Sequence, residues 1–335
     1  MKIVFFEIQS WESRQLKKQF PDGIFTKDKL SPENVDQYED AEIISTFIYS
    51  SVSRAILNKL PNLKFVATRS TGYDHIDVSA AVDKGVVVSN VPEYGSRTVA
   101  EHTFGLILTL TKKIYQSVQQ VKDAYDFNHE NIRGIDLFEK TIGIVGLGKI
   151  GMETLKIAKG FGMNVLVTTR TQDEQLAKKW GFEYVDLQTL LKKSHVVSLN
   201  LPYTKETHHT INRENVTFFR KGSYLINTAR GGLIETEAII QGLQDEILGG
   251  VGLDVLEEEE ELSEEIDILT KTYQKRAELK TMVMNHILIK HPNVIITPHN
   301  AFNSKDALNR ITKTTIENIE AFIDKKSINT VKPHS

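Results

Sequence analysis

TIGIVGLGKIG (141–151), running on into METLKIAKGFG (152–162), is the stretch whose reading decides the fold of this chain. An apolar, β-branched run enters a G-x-G-x-x-G turn at Gly146, Gly148 and Gly151 and leaves it with apolar residues at helical spacing. In that strand-turn-helix context the glycines permit a tight turn and close approach of a pyrophosphate to the backbone. The helix N-terminus adds free N–H groups and positive potential. Lys149 and Ile150 lie inside the motif and are counted with this cradle, Lys149 as an added charge contact.

Downstream, NVLVTT, HVVSLN, SYLINT, GGVGLDV and NVIITP read as further strands, separated by helical windows at 174–179, 187–193 and 235–243. Six strands with crossovers predict a complete doubly wound, dinucleotide-binding sheet. Upstream, KIVFF, AEIISTF, KFVATRS and GVVVSN alternate with helical stretches at 52–60 and 77–84, which predicts a smaller α/β domain. A long apolar-faced helix over 97–113 reads as a bridge between the two. A last helix over 304–325 puts Leu308, Ile311, Thr315, Ile319 and Phe322 on one face and is expected to return to the first domain.

The bulk properties agree with two soluble domains. A chain of 335 residues is too long for one ordinary core. A net charge of -3 without a long basic block gives no attraction to nucleic acid or to a membrane surface. The absence of cysteine removes disulfides, thiolate nucleophiles and Cys-ligated metals, and no metal site is expected. The N-terminal apolar run meets Glu7 at once and reads as a strand, and no run reaches the roughly 18 residues of a membrane span, so a cytoplasmic location is the expectation.

Ligands of open α/β sheets bind beyond the carboxyl ends of strands, which singles out Arg230 after SYLINTA, the acidic cluster from Glu257 after GLDV, and His299 after VIITP. Reduction of a 2-oxo acid needs a cation to hold the carboxylate, a proton donor, and a carboxylate that keeps the donor charged; Arg, His and Glu fill those roles. His208 and His209, on a polar stretch, read as solvated. After the second strand of the cofactor sheet, where NAD enzymes usually carry an acid for the ribose, stand Thr169, Arg170 and Thr171. Two hydroxyls and a guanidinium suit a phosphate, so NADP(H) is the expected preference. NAD(H) remains the alternative, with Arg170 solvated and Asp173 reaching the ribose.

RSTGYDHID (69–77), VPEYGSRTVAEHT (91–103), GLGKIG (146–151), LPYTKETHHTIN (201–212), NTARGG (227–232), GLDVLEEE (252–259) and TPHNAF (297–302), in this order, resemble the D-isomer-specific 2-hydroxyacid dehydrogenases, most of all the D-lactate type. The resemblance implies a Rossmann-type cofactor domain (101–302) inserted into a flavodoxin-like substrate domain (1–100 with 303–335). It further implies reduction of a small 2-oxo acid such as pyruvate. Carried over position by position, it implies Arg230 as the substrate cation, His299 as acid/base and Glu259, five residues after Asp254, as its partner. It assigns Leu201, Pro202, Thr207, Thr228 and Ala229 to the cofactor, Asp254 to the cofactor or to a positioning role, and Thr71, Gly72, Tyr94 and Phe302 to the substrate. A homodimer built through the cofactor domain is also implied. Glyoxylate or hydroxypyruvate reductases share these motifs, and the C-terminal-binding protein corepressors use the same fold to sense dinucleotide, so both readings stay open at this point.

Overall fold

The structure, a computed structural model, describes residues 1–257 and 276–333. The chain divides into two compact units, residues 1–94 with 303–335, and residues 95–302.

In the first unit β1 (Ile3–Phe5), α1 (Ser10–Gln19), β2 (Ile24–Phe25), β3 (Ile43–Thr46), α2 (Arg54–Asn58), β4 (Phe65–Thr68), α3 (Val78–Asp83) and β5 (Val87–Ser89) build a parallel sheet of order β2-β1-β3-β4-β5, the flavodoxin-like arrangement. Strands covered on both faces are apolar almost throughout, and the two-residue period divides them. Val4, Ile44, Val66 and Val88 join the core that includes Ile56 and Ala80. Ile3, Phe5, Ile43, Phe65 and Ala67 join the core that includes Leu16 and Ile319. Strand β2, only two residues long, carries too little pattern to be seen in the sequence.

The second unit begins with α4 (Ser96–Thr111) and continues through α5 (Ile114–Ala124), β6 (Thr141–Val145), α6 (Lys149–Gly160), β7 (Asn164–Thr168), α7 (Glu174–Trp180), β8 (Glu183–Tyr184), α8 (Leu187–Lys193), β9 (Val196–Leu199), β10 (Ser223–Asn227), α9 (Thr236–Gln244), β11 (Leu248–Leu253), α10 (Arg276–Lys290) and β12 (Val294–Ile296). Its parallel sheet has the order β12-β11-β10-β9-β6-β7-β8, seven strands where the sequence pattern predicts six. The extra one is β8, a two-residue edge strand whose Glu-Tyr sequence offers no alternation to read. The division between units falls at Tyr94/Gly95 rather than after residue 100. Helix α4 packs its Phe104, Leu106, Ile107 and Leu110 into the core of the second sheet, and the whole helix falls within that unit.

α11 (Lys305–Ile323) closes the chain back on the first unit. Ser304 caps it by accepting the Ala307 N–H at 3.1 Å, Ile311 and Ile319 are fully buried, and Phe322 stacks on Phe65 with ring centroids 4.4 Å apart. Full burial of one such aliphatic side chain contributes roughly 1.5–3 kcal/mol, which far outweighs the helix propensities involved. Among the described residues no helix is long and apolar enough to cross a membrane.

Candidate functional site

The glycine turn sits at the switch point of the second sheet, where β6 and β9 leave in opposite senses. Gly146 has φ of 95°, and a β-carbon there would lie 2.7 Å from the Asn200 carbonyl oxygen. A β-carbon on Gly151 would lie 2.1 Å from the Gly146 oxygen. At Gly148, the cap of α6, nothing lies within 4 Å of the β-carbon position, so the space in front of the helix N-terminus is open. Across the crevice the buried Asn200 Oδ1 has no hydrogen-bond partner. An open concavity at a helix N-terminus, with an orphaned polar atom beside it, fits the pyrophosphate and sugars of a dinucleotide. Lys149 is exposed and Ile150 half-buried on the first turn.

At the end of β7, Thr169 is half-buried while Arg170 and Thr171 are exposed. Asp173 caps α7, one carboxylate oxygen accepting the N–H groups of Gln175 and Leu176 at 2.9 and 3.0 Å. The acid that was the alternative ribose ligand thus has its Oδ1 engaged by its own helix.

Beyond β9, Leu201 and Pro202 open a loop whose form is set by Thr207. Its hydroxyl donates to the Pro202 carbonyl at 2.7 Å and accepts the Thr204 N–H at 2.8 Å. Thr228, 8% exposed, sits just past β10 with its hydroxyl 2.9 Å from that of Thr103. Thr103 already gives its one hydroxyl proton to the Val99 carbonyl at 2.9 Å, so Thr228 is the donor of that pair and presents only lone pairs elsewhere. Asn227, fully buried, staples the next turn by accepting the Ala229 N–H and donating to the Arg230 carbonyl. Arg230 leaves this turn half-buried, one guanidinium nitrogen donating to the Ala229 carbonyl at 2.8 Å.

Asp254 directly follows β11 and is 1% exposed. Its Oδ1 accepts the Thr297 hydroxyl and, at 2.8 Å, the Asn300 N–H; its Oδ2 accepts the Ala301 N–H at 2.8 Å; its carbonyl accepts the His299 N–H at 2.9 Å. Asp254, through its side chain and its carbonyl together, thereby folds the turn 297–301 and holds His299 at φ of 48°, a backbone angle that a β-carbon disfavours. Burial alone would raise the Asp254 pKa. The donors from His102, Thr297, Ala301 and Asn300 outweigh it and hold the carboxyl below the ordinary aspartate range. With its oxygens so engaged, Asp254 holds the His299 turn, the positioning role that stood beside a cofactor contact in the reading of the sequence.

His102, on α4, was not singled out by sequence. Its Nε2 is 3.0 Å from the Thr297 hydroxyl and 3.4 Å from Asp254 Oδ1. Because Thr297 donates to Asp254, His102 Nε2 must carry the hydrogen that Thr297 accepts. The His299 ring meets Phe302 edge-on at 6.4 Å, and both side chains are half-buried.

Glu259 lies outside the described residues. Its neighbour Glu257 is held from two sides. Oε1 is 2.7 Å from His209 Nε2, and Oε2 accepts both the N–H and the hydroxyl of Thr236 at 3.1 and 2.7 Å. His209, expected to be solvated, is 30% exposed, 2.7 Å from a Glu257 carboxylate oxygen and stacked on His208 at 3.7 Å. The signal was available only as partners 48 and 21 residues away.

In the first unit, the turn after β4 is fixed at each residue. Ser70 Oγ donates to the Gly72 carbonyl at 2.6 Å, Thr71 Oγ1 to the Val91 carbonyl at 2.7 Å, and Asn90 Nδ2 to the Thr71 carbonyl at 2.7 Å. The N–H groups of Thr71 and Gly72 meet no acceptor among the described residues. Tyr94 is half-buried, and its carbonyl accepts from Arg310 Nε at 2.7 Å.

Residues 104–301 match the family described as D-isomer specific 2-hydroxyacid dehydrogenase, NAD binding domain. A 2-hydroxyacid dehydrogenase homolog of Zymomonas mobilis is 35% identical over 329 residues, spanning 95% of this chain and 96% of that one. The D-lactate dehydrogenase of Escherichia coli is 32% identical over 330 residues, with 95% and 96% of the two chains covered. The crystal structure of a D-lactate dehydrogenase from Aquifex aeolicus, complexed with NAD and lactic acid, is 35% identical and superposes with a TM-score of 0.89 over 100% of both chains.

Proposed function

The chain belongs to the D-isomer-specific 2-hydroxyacid dehydrogenase family, and from that premise we propose that it reduces pyruvate to D-lactate, with NADPH preferred over NADH. As a member it is an oxidoreductase that uses a nicotinamide dinucleotide and acts on 2-hydroxy or 2-oxo acids. The observation that carries the proposal is the alignment of Arg230, Asp254 and His299 just beyond the carboxyl ends of three adjacent strands, β10, β11 and β12.

When bound, the nicotinamide supplies the hydride for the oxo carbon. Gly146, Gly148, Lys149, Ile150 and Gly151 hold the pyrophosphate, and Leu201, Pro202, Thr207, Thr228 and Ala229 line the nicotinamide half, Thr228 as an acceptor. Arg230 pairs with the substrate carboxylate and polarises its carbonyl oxygen, which becomes negative as reduction proceeds. His299 gives that oxygen its proton, and Glu259 favours the charged imidazole before transfer. The N–H groups of Thr71 and Gly72, which meet no acceptor among the described residues, suit a carboxylate oxygen. Phe302, edge-on to the His299 ring, favours a substrate side chain as small as the methyl of pyruvate.

Thr169, Arg170 and Thr171 take the ribose phosphate, a reading supported by the engagement of Asp173 as a helix cap. A second copy of the chain covers α5, which has no buried residue and exposes Ile114, Tyr115, Val118 and Val121; sedimentation at micromolar concentration should show a dimer. Initial rates with pyruvate, glyoxylate and hydroxypyruvate, each with NADPH and NADH, test the assignment. Pyruvate with NADPH should give the highest kcat/KM; preference for glyoxylate or hydroxypyruvate would move the substrate to the reductases, and a higher KM for NADPH than for NADH would reverse the cofactor reading.

A further inference from the structure

We propose that Arg69, Glu7 and Glu12 form a buried positioning device in the first unit: the Arg69 guanidinium and the Glu7 carboxylate together tie the loops after β1, β3 and β4, and so set the place of the substrate-carboxylate turn at 70–72. This rests on the reading of Thr71 and Gly72 as carboxylate donors.

Arg69 and Glu12 are fully buried and Glu7 is 4% exposed, so two carboxyl groups and one cation lie inside a 94-residue-plus-helix unit that has apolar cores on both faces of its sheet. Arg69 immediately follows β4 and precedes the turn. Its Nη1 donates to Ser45 Oγ at 3.0 Å, its Nη2 to the carbonyls of Phe6 and Glu7 at 2.5 and 3.3 Å, and its Nε lies 3.0 Å from Glu12 Oε2. Glu12 in turn accepts the Gln9 N–H at 3.1 Å. The guanidinium thus reaches β3, the loop after β1 and the first turn of α1.

Glu7 completes the tie. In a flavodoxin-like order the ligand crevice opens at the switch point, here between β1 and β3. Across that crevice the Glu7 carboxylate takes the N–H groups of Phe47 and Tyr49 at 2.9 and 2.8 Å and the Ser50 hydroxyl. The chain has placed its own anion where the fold would receive one. Glu7 does so at φ of 54°, a strained angle that persists only where its surroundings over-determine it. Free N–H donors stand one strand over, at Thr71 and Gly72, on the residue run that Arg69 anchors. Well-packed apolar side chains would stabilise the unit as well as a buried ion cluster does, so the cluster is better accounted for by geometry than by stability.

The test is steady-state kinetics on Glu7→Gln and Arg69→Lys, with NADPH affinity measured separately by its fluorescence. Glu7→Gln loses the second acceptor and should raise KM for the 2-oxo acid about tenfold or more with kcat within about threefold, as expected for a misplaced binding group. NADPH affinity should not move. Arg69→Lys keeps the charge but not the fork, and should fall between wild type and Arg69→Gln. Leu57→Ala, a core truncation in the same unit, should lower Tm without moving KM. Unchanged KM in Glu7→Gln, or an equal rise in Leu57→Ala, overturns the proposal. If Glu7→Gln does not fold, the same decision rests on Arg69→Lys and on Ser45→Ala, which removes one Arg69 acceptor and should raise KM about twofold to threefold. Gly72→Pro, which deletes one proposed carboxylate donor, separates the premises. Unchanged KM there sinks the carboxylate reading, whereas raised KM there with unchanged KM in Glu7→Gln sinks only the positioning role.

Discussion

At the switch point between β6 and β9 the chain places glycines, and at the switch point between β1 and β3 it places a carboxylate. Both sheets are parallel, doubly wound and covered by helices, and each would offer a crevice at that point. In the second unit nothing stands within 4 Å of the Gly148 β-carbon position, and the helix N-terminus faces open space. In the first, Glu7 satisfies Phe47, Tyr49 and Ser50. The same architecture therefore keeps one switch point for a ligand and fills the other, and the residue at one or two positions decides which.

The largest effect should come from closing the open crevice. Gly151→Ala would push a methyl group to 2.1 Å from the Gly146 carbonyl oxygen, a backbone atom that cannot yield easily. Overpacking of this kind costs about 1–3 kcal/mol, and NADPH titration should show affinity reduced by about a hundredfold.

Next is a difference in acid response between the two units. Asp254 has a folded pKa held below its ordinary 3.8, so its contribution is present above that value and is lost as pH falls through the lower folded value. Glu12 is raised above 4.5, chiefly by burial and against the pull of Arg69, so its contribution is present below 4.5 and is lost as pH rises through the higher folded value. Urea midpoints followed against pH should therefore lose acid sensitivity in Asp254→Asn and gain stability on the alkaline side in Glu12→Gln. Equal pH profiles in both variants and wild type would contradict the assignment of these carboxyls. Asp254→Asn should also lower kcat, since the amide cannot accept every donor that folds the His299 turn.

Smaller effects probe the rims. Arg170→Ala should raise KM for NADPH about tenfold, the loss of one charge-assisted hydrogen bond, and leave NADH unchanged. His102→Ala removes one donor from Thr297 and should cost about 0.5–1.5 kcal/mol in stability, with a few-fold fall in kcat.

Much of the architecture was legible because its signals are local. The Gly146, Gly148 and Gly151 turn, the apolar runs of β6, β7, β9, β10 and β11, and the helices over 187–193 and 305–323 each announce themselves within a dozen residues. Two-residue strands β2 and β8 do not, and α5, which buries nothing, has no inward face to show. At the site, Arg230 and His299 could be picked out by their place after strands. The work of Asp254 could not, because its oxygens are claimed by residues 297–301, nor could the partners of Glu257, since His209 and Thr236 are distant in the chain. Arg69 was visible only as the edge of a motif; that an arginine is fully buried depends on Phe6, Ser45 and Glu12, contributed by three other segments.

The central claim is that His299 and Arg230, on the turns beyond β12 and β10, carry out the reduction of pyruvate. It is tested most directly by incubating pyruvate and NADPH with wild type and with His299→Ala and assaying the chirality of the lactate formed. The account predicts D-lactate equal in amount to the NADPH consumed, and turnover reduced about 10²- to 10⁴-fold in the variant with NADPH affinity unchanged. Formation of L-lactate, or turnover in His299→Ala equal to wild type, would contradict it.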